Sequence, residues 1–136
     1  MDIDEALAFV RANHQGVLAT TRADGGTQMT PVTPGVDDEG RVEISSRETA
    51  FKVAHLRARP RAALCVFTEQ FYGPWVQLEG PVEILSLPEA LEPLVALYRR
   101  IQGEHPDWDD YRAAMVRDRR VVIRLTPERA GPNASG

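Results

Sequence analysis

Ser45, Ser46, Thr49 and Lys52 fall within one short stretch, Ser45-Ser46-Arg47-Glu48-Thr49-Ala50-Phe51-Lys52, and together they form a donor set suited to a phosphate. Hydroxyls supply short neutral hydrogen bonds, and an ammonium is a compact charge on a flexible stem. A helix starting near Thr49 would add the partial positive charge of its N-terminus. Lys52 is the single lysine in a chain with 15 arginines, so this ammonium stands apart from every other cation. The competing account is compositional: a GC-rich genome favours Arg codons and leaves one lysine behind. Between Arg47 and Arg61 five basic side chains (Arg47, Lys52, Arg57, Arg59, Arg61) meet one acid, Glu48. On a chain of net charge −4 such an island suits a small polyanion better than a nucleic-acid duplex, which would be repelled elsewhere. The alternative is a solvated, Arg-rich helix face.

Other reactive groups are poorly placed for chemistry. His14, His55 and His105 lie far apart without metal-ligand spacing. There is no nucleophile elbow, P-loop or dinucleotide fingerprint. Asp107, Asp109 and Asp110 cluster where a helix begins, and dipole complementarity accounts for them. The lone Cys65 sits in the apolar run Ala62–Phe67, as an inert buried thiol would, and it excludes an internal disulfide in keeping with a reducing cytoplasm. An enzyme with no marked nucleophile, acid–base pair or metal must import its reactivity, as redox cofactors allow. Phe71, Tyr72 and Trp75 follow a loop and could wall a flat ring, or serve as ordinary core aromatics.

The elements that must position these residues follow from periodicity. A chain of 136 residues, 43% hydrophobic and 26% charged, has the size and balance of one globular domain, read here as residues 1–130 with a disordered Gly/Pro/Ser tail at 131–136. No apolar run is long enough for a membrane span, and the acidic start Met1-Asp2-Ile3-Asp4-Glu5 is no secretory signal, so a cytoplasmic location is expected. Ile3, Ala6, Leu7 and Val10 predict a first amphipathic helix ending near Asn13. Strands are expected at 17–21, 27–33, 41–45, 61–68, 75–85 and 119–126, with hairpin turns at Ala23–Gly26 and Asp37–Gly40. Pro31 should lie at an edge or a bulge, and Gly80-Pro81 should mark a bend. A helix is expected at 49–58, stopped by Pro60, and two more between Glu89 and Asp118, the second capped by Asp107 and the first kinked or delayed by Pro93. The sum is a small antiparallel barrel of about six strands with helices, of the α+β or all-β kind.

Gly16-Val-Leu-Ala-Thr, Asp24-Gly, Gln28, Ser45…Lys52-x-x-x-Leu56-x-x-x-Pro60-Arg-Ala and Leu78-Glu-Gly80 resemble the split β-barrel flavin and deazaflavin oxidoreductases, relatives of pyridoxamine 5'-phosphate oxidase with the FMN-binding split-barrel fold. The stretch from Leu97 to Arg120 (Leu-Tyr-Arg-Arg-Ile-Gln-Gly-Glu-His-Pro-Asp-Trp-Asp-Asp-Tyr-Arg-Ala-Ala-Met-Val-Arg-Asp-Arg-Arg) is more specific and is similar to the actinobacterial branch that uses the deazaflavin coenzyme F420. The likeness spans about residues 5–126.

The resemblance implies that Ser45, Ser46 and Lys52 hold the cofactor phosphate, with Arg47, Thr49 and Phe51 on the same segment as further cofactor-binding residues. Thr30, Pro31, Val32 and Thr33 would line the ring, and Trp75 would reach the site from the second protomer of a homodimer. Two positions depart from the family pattern: Ala50 stands where an arginine is expected two residues before the lysine, and Pro31 replaces a common asparagine. Arg47 is the candidate substitute for the missing guanidinium. The implied activity is hydride transfer between F420 and an electron-poor small molecule. The alternatives are an FMN-dependent oxidoreductase, a non-catalytic F420 carrier and, more remotely, a haem-handling split barrel. No catalytic acid or base and no metal site is assigned.

Overall fold

A computed structural model describes residues 1–132. The chain runs α1 (Ile3–Ala12), β1 (Gln15–Thr21), β2 (Thr27–Val32), β3 (Gly35–Val36), β4 (Val42–Arg47), α2 (Phe51–Ala58), β5 (Arg61–Phe67), β6 (Trp75–Leu85), α3 (Leu91–Gln102), α4 (Trp108–Arg117), β7 (Arg120–Leu125) and β8 (Arg129–Gly131). All strand pairings are antiparallel, in the order β2-β1-β5-β6-β7-β4-β3, with β8 added beside β6. The path does not close on itself, which is the α+β split-barrel form. Eight strands replace the expected six because β3 and β8 have two and three residues, too short to show alternation. Gly131, read from sequence as the start of a disordered tail, belongs to β8, and 133–136 lie outside the described residues.

Local chemistry explains the turns and edges. Gly25 and Gly40 take left-handed φ values of 84° and 78° in the two hairpin turns. Pro31 sits on β2, the outermost strand on its side, where a missing N–H breaks no interior ladder. The bend at Gly80-Pro81 is the point where β6 changes partner, from β5 (Phe67↔Trp75 through Arg61↔Pro81) to β7 (Val82↔Leu125 onward).

The main core packs Leu18, Ile44, Leu64, Leu78, Ile123 and Leu125 beneath α1 and α2. Val122 points the other way, into a small cluster with Ala90, Leu94 and Met115 under α3 and α4. Burial on both faces accounts for the unbroken run Val121-Val122-Ile123. Pro93 falls in the first turn of α3, where N–H groups have no intrahelical partner, so it delays the helix rather than kinking it. Asp107 caps α4 by accepting from Asp110 N–H at 3.1 Å. No helix among the described residues is long and apolar enough to cross a membrane.

Candidate functional site

A cavity of about 550 Å³ opens where the ends of β2, β4 and β7 meet the start of α2 and the α3–α4 hairpin. Its size is in the range of small-molecule sites. Seven sequence-predicted residues share it: Pro31, Val32 and Thr33 from the end of β2, Ser45, Ser46 and Arg47 from the end of β4, and Lys52 in the first turn of α2.

Four others lie outside its lining. Thr30 sits one pleat back along β2, opposite Leu18. Thr49 precedes a helix that begins only at Phe51 and is capped by Ala50 without a side-chain bond, so the expected start at Thr49 is two residues early. Thr49 therefore does not cap the helix. The Phe51 ring is turned outward and 75% exposed. Trp75, at the far end of β6, lines a separate cavity of about 320 Å³ with Gln77, Glu79 and Arg129. Phe71 and Tyr72 are exposed and pack edge-on against each other at 5.1 Å, so they wall neither cavity.

The sequence reading missed the opposite wall. Leu97, Tyr98, Ile101 and Gln102 of α3, Tyr111 and Met115 of α4, and Arg120 of β7, with Ala50 just before α2, complete the lining. Tyr98, His105, Trp108 and Tyr111 interlock with ring centroids 4.9–5.7 Å apart, which joins the two helices into one aromatic wall. Arg99 lies 4.8 Å over the Trp108 ring, and Glu104 accepts from both Arg99 Nε (2.7 Å) and Trp108 Nε1 (3.0 Å). Tyr111 donates its hydroxyl to the Leu94 carbonyl at 3.1 Å, and burial pushes its phenol up, so it serves as a prop between α3 and α4. The helical spacing of Leu97, Tyr98 and Ile101 marked a buried face, but only the fold shows that this face borders a cavity.

The electrostatics are one-sided. Arg47, Lys52 and Arg120 line the cavity and no carboxylate does. Among the described residues none of the three forms an ion pair; Glu48, beside Arg47, is held by Arg57 at 2.8 Å instead. Burial, then repulsion from Arg120, pushes the Lys52 ammonium below its ordinary value. Arg120 Nε is buried without a hydrogen-bond partner. No histidine lines the cavity: His55 is bonded to Thr20 Oγ1 at 3.0 Å and His14 to the Pro34 carbonyl at 2.8 Å. No three metal-ligating side chains gather among the described residues. Cys65 is half-buried on β5, and burial raises its thiol. Such a site can hold a polyanion at one end and a flat apolar body against the tyrosines, but it carries no marked nucleophile or acid–base pair.

Comparison with known proteins agrees with this architecture. Residues 3–133 match the family model for pyridoxamine 5'-phosphate oxidase. A conserved hypothetical protein from Mycobacterium tuberculosis is 28% identical, with a TM-score of 0.78 over 96% of this chain and 82% of that one. An F420 reductase is 22% identical, with a TM-score of 0.70 over 91% and 94%. A heme binding protein from Mycobacterium smegmatis is 20% identical, with a TM-score of 0.70 over 94% and 52%, so one fold spans proteins with different ligands. From the family match and the open antiparallel sheet, the chain belongs to the pyridoxamine 5'-phosphate oxidase family, whose members are generally flavin oxidoreductases.

Proposed function

We propose that this chain is an F420-dependent oxidoreductase, active as a homodimer, that transfers a hydride between the deazaflavin and an electron-poor small molecule. The observation that carries this reading is the concentration of three cations without a carboxylate at one end of an aromatic-walled cavity. Lys52, Arg47 and the hydroxyls of Ser45 and Ser46 would hold the phosphate, and Pro31, Val32 and Thr33 would border the ring. The buried, unpartnered Nε of Arg120 fits a site that expects an anion. A deazaflavin, when bound, supplies the hydride chemistry. The chain's own residues bind the charged arm, fix the ring against α3 and α4, and exclude water.

Three cations suit a coenzyme whose tail carries carboxylates beyond its phosphate, and they also suit the dianionic phosphate monoester of FMN. FMN is the second reading, supported by the family's general use of flavins. A carrier without turnover would use the same cavity.

A second protomer would have a candidate face to pack against. On the side of the sheet turned away from the core, Pro31, Val17 and Cys65 form one cross-strand row and Met29, Ala19 and Ala63 the next. Met29 is 70% exposed there. Apolar rows of this kind, half-buried in their centre and exposed at Met29 and Pro31, suit an interface, and Trp75 stands near their border. The deciding experiment titrates purified protein with F420 and with FMN, following Trp fluorescence, and then tests turnover with nitro- and enone-type acceptors. Binding of neither coenzyme would refute the proposal.

A further inference from the structure

Arg47 and Arg120 occupy directly opposite positions in the β4–β7 ladder. Opposite residues of an antiparallel pair share a face, and like charges placed there repel. On the same face, further along the same two strands, Glu43 stands opposite Arg124 and the two meet at 2.7 Å. The ladder thus pairs an acid with a base at one end and sets two arginines opposite each other at the other end. Lys52 brings a third positive group to the same cavity.

The local backbone holds this arrangement in place. Arg119 adopts the left-handed region at φ 52°, turning the chain out of α4 into β7. Its carbonyl accepts from Glu48 N–H at 2.9 Å, which ties the residue after Arg47 to the residue before Arg120. The nearest acid in sequence to Arg120 is Asp118, and it contacts Arg117 at 3.8 Å. Arg120 therefore combines a buried donor atom with no partner and two cationic neighbours with no acid to balance them.

We propose that Arg120 is an anion-binding residue of this cavity, forming with Arg47 and Lys52 a three-cation seat for a ligand group bearing at least two negative charges. A phosphate monoester, or a phosphodiester next to carboxylates, has that chemistry. This inference rests on the cofactor reading above. It also assigns to β7 the guanidinium fork that Ala50 cannot supply from the loop. An anion in the seat offsets the repulsion between the arginines, so occupancy and stability are coupled.

The test uses inorganic pyrophosphate as probe, with thermal melts at ionic strength held constant by sodium chloride, on the wild type, Arg120→Gln and Arg120→Lys. The expected result is a concentration-dependent rise in Tm for the wild type. Affinity should fall about 10- to 100-fold in Arg120→Gln, the range for losing a charge-assisted hydrogen bond. Without the probe, Arg120→Gln should melt at or above the wild-type temperature, because one repelling charge is gone. Arg120→Lys should bind several-fold more weakly than the wild type and serves as the test if Arg120→Gln does not fold. Wild-type pyrophosphate affinity in both variants, or no stabilisation of the wild type by pyrophosphate, would overturn the proposal. Arg120-dependent pyrophosphate binding in a protein that takes up neither F420 nor FMN supports the seat and refutes the cofactor reading. Coenzyme binding that ignores Arg120 does the reverse.

Discussion

The α-carbon of Gly80 lies so close to the carbonyl oxygen of Thr126 that a Cβ at that position would collide with it. The contact occurs where β6 passes from β5 to β7, so neither backbone can give way without loosening a ladder. Gly80→Ala should cost about 3 kcal/mol or more, at or beyond the upper end for forced overpacking, because the obstacle is main chain rather than a flexible side chain. Urea melts at neutral pH would measure it, and a loss below about 0.5 kcal/mol would show that the bend relaxes freely.

Lys52→Ala should weaken coenzyme binding by about 1.5–3 kcal/mol, the contribution of a hydrogen bond to a charged group. Because burial and then Arg120 depress the Lys52 ammonium, the charged form is disfavoured in the fold below its titration, and this penalty lifts as pH rises. The coenzyme-free variant should therefore be no less stable than the wild type at neutral pH. Coenzyme affinity of the wild type should decline as pH rises, starting below the ordinary lysine value of 10.5. A fluorescence titration across pH 7–10 follows both effects, and an affinity unchanged by the substitution would remove Lys52 from the site.

Glu43 is 1% exposed and contacts Arg124 at 2.7 Å and Arg100 at 3.6 Å. Removing its charge takes the buried carboxylate from two guanidiniums, although Arg100 keeps Asp38 at 3.4 Å; breaking a buried pair outright costs about 3–5 kcal/mol. Arg124 keeps Glu83 at 3.2 Å and Asp37 at 3.8 Å, so Glu43→Gln should fall near the lower figure. A chemical denaturation curve showing no loss would mean that the network adds nothing to stability.

Asp37 supplies the acid dependence. Burial alone would raise its carboxyl, but N–H bonds from Arg41 (2.8 Å) and Glu39 (3.0 Å) and the Arg41 guanidinium (2.8 Å) outweigh burial and hold it below the ordinary 3.8. A depressed carboxylate stabilises the fold fully above its unfolded-state value and loses that contribution as pH falls through the folded value. Asp37→Asn should destabilise by about 1–3 kcal/mol at pH 7 and flatten the loss of stability below about pH 4. Melts of both proteins at pH 7 and pH 3 compare the two slopes.

Met29→Asp places a charge at the edge-strand end of an outward apolar row. A homodimer formed through this face should sediment as a monomer after the change and lose coenzyme affinity, while its fold stability moves by less than about 0.5 kcal/mol, as for other exposed sites. A wild type that sediments as a monomer at micromolar concentration would leave Trp75 without a second protomer to serve.

Local chemistry made much of the architecture legible. β-rich and apolar runs bounded by turn residues placed β1, β5 and β6, Pro31 announced an edge, Asp107 announced a cap, and Gly80-Pro81 announced the bend. The half of the cavity built from Ser45, Ser46, Arg47 and Lys52 was readable because those residues are neighbours in sequence. Arg120 was not, since it reaches Arg47 only through the pairing of β4 with β7, and register between distant strands leaves no mark on a lone arginine. Trp75 follows an aromatic loop and was expected to reach the site from a second protomer; within one chain it lies at the opposite end of β6 from the partner switch and lines a separate cavity. The tyrosine wall had the spacing of an ordinary buried helix face, so periodicity could not separate packing from binding.

Pro31 has a consequence beyond its own strand. As part of the outermost strand it presents no N–H to an incoming backbone, so the open border of the sheet is a broken template for further strand addition. Strand-on-strand growth from this border is disfavoured, since one of the donors it would need is absent.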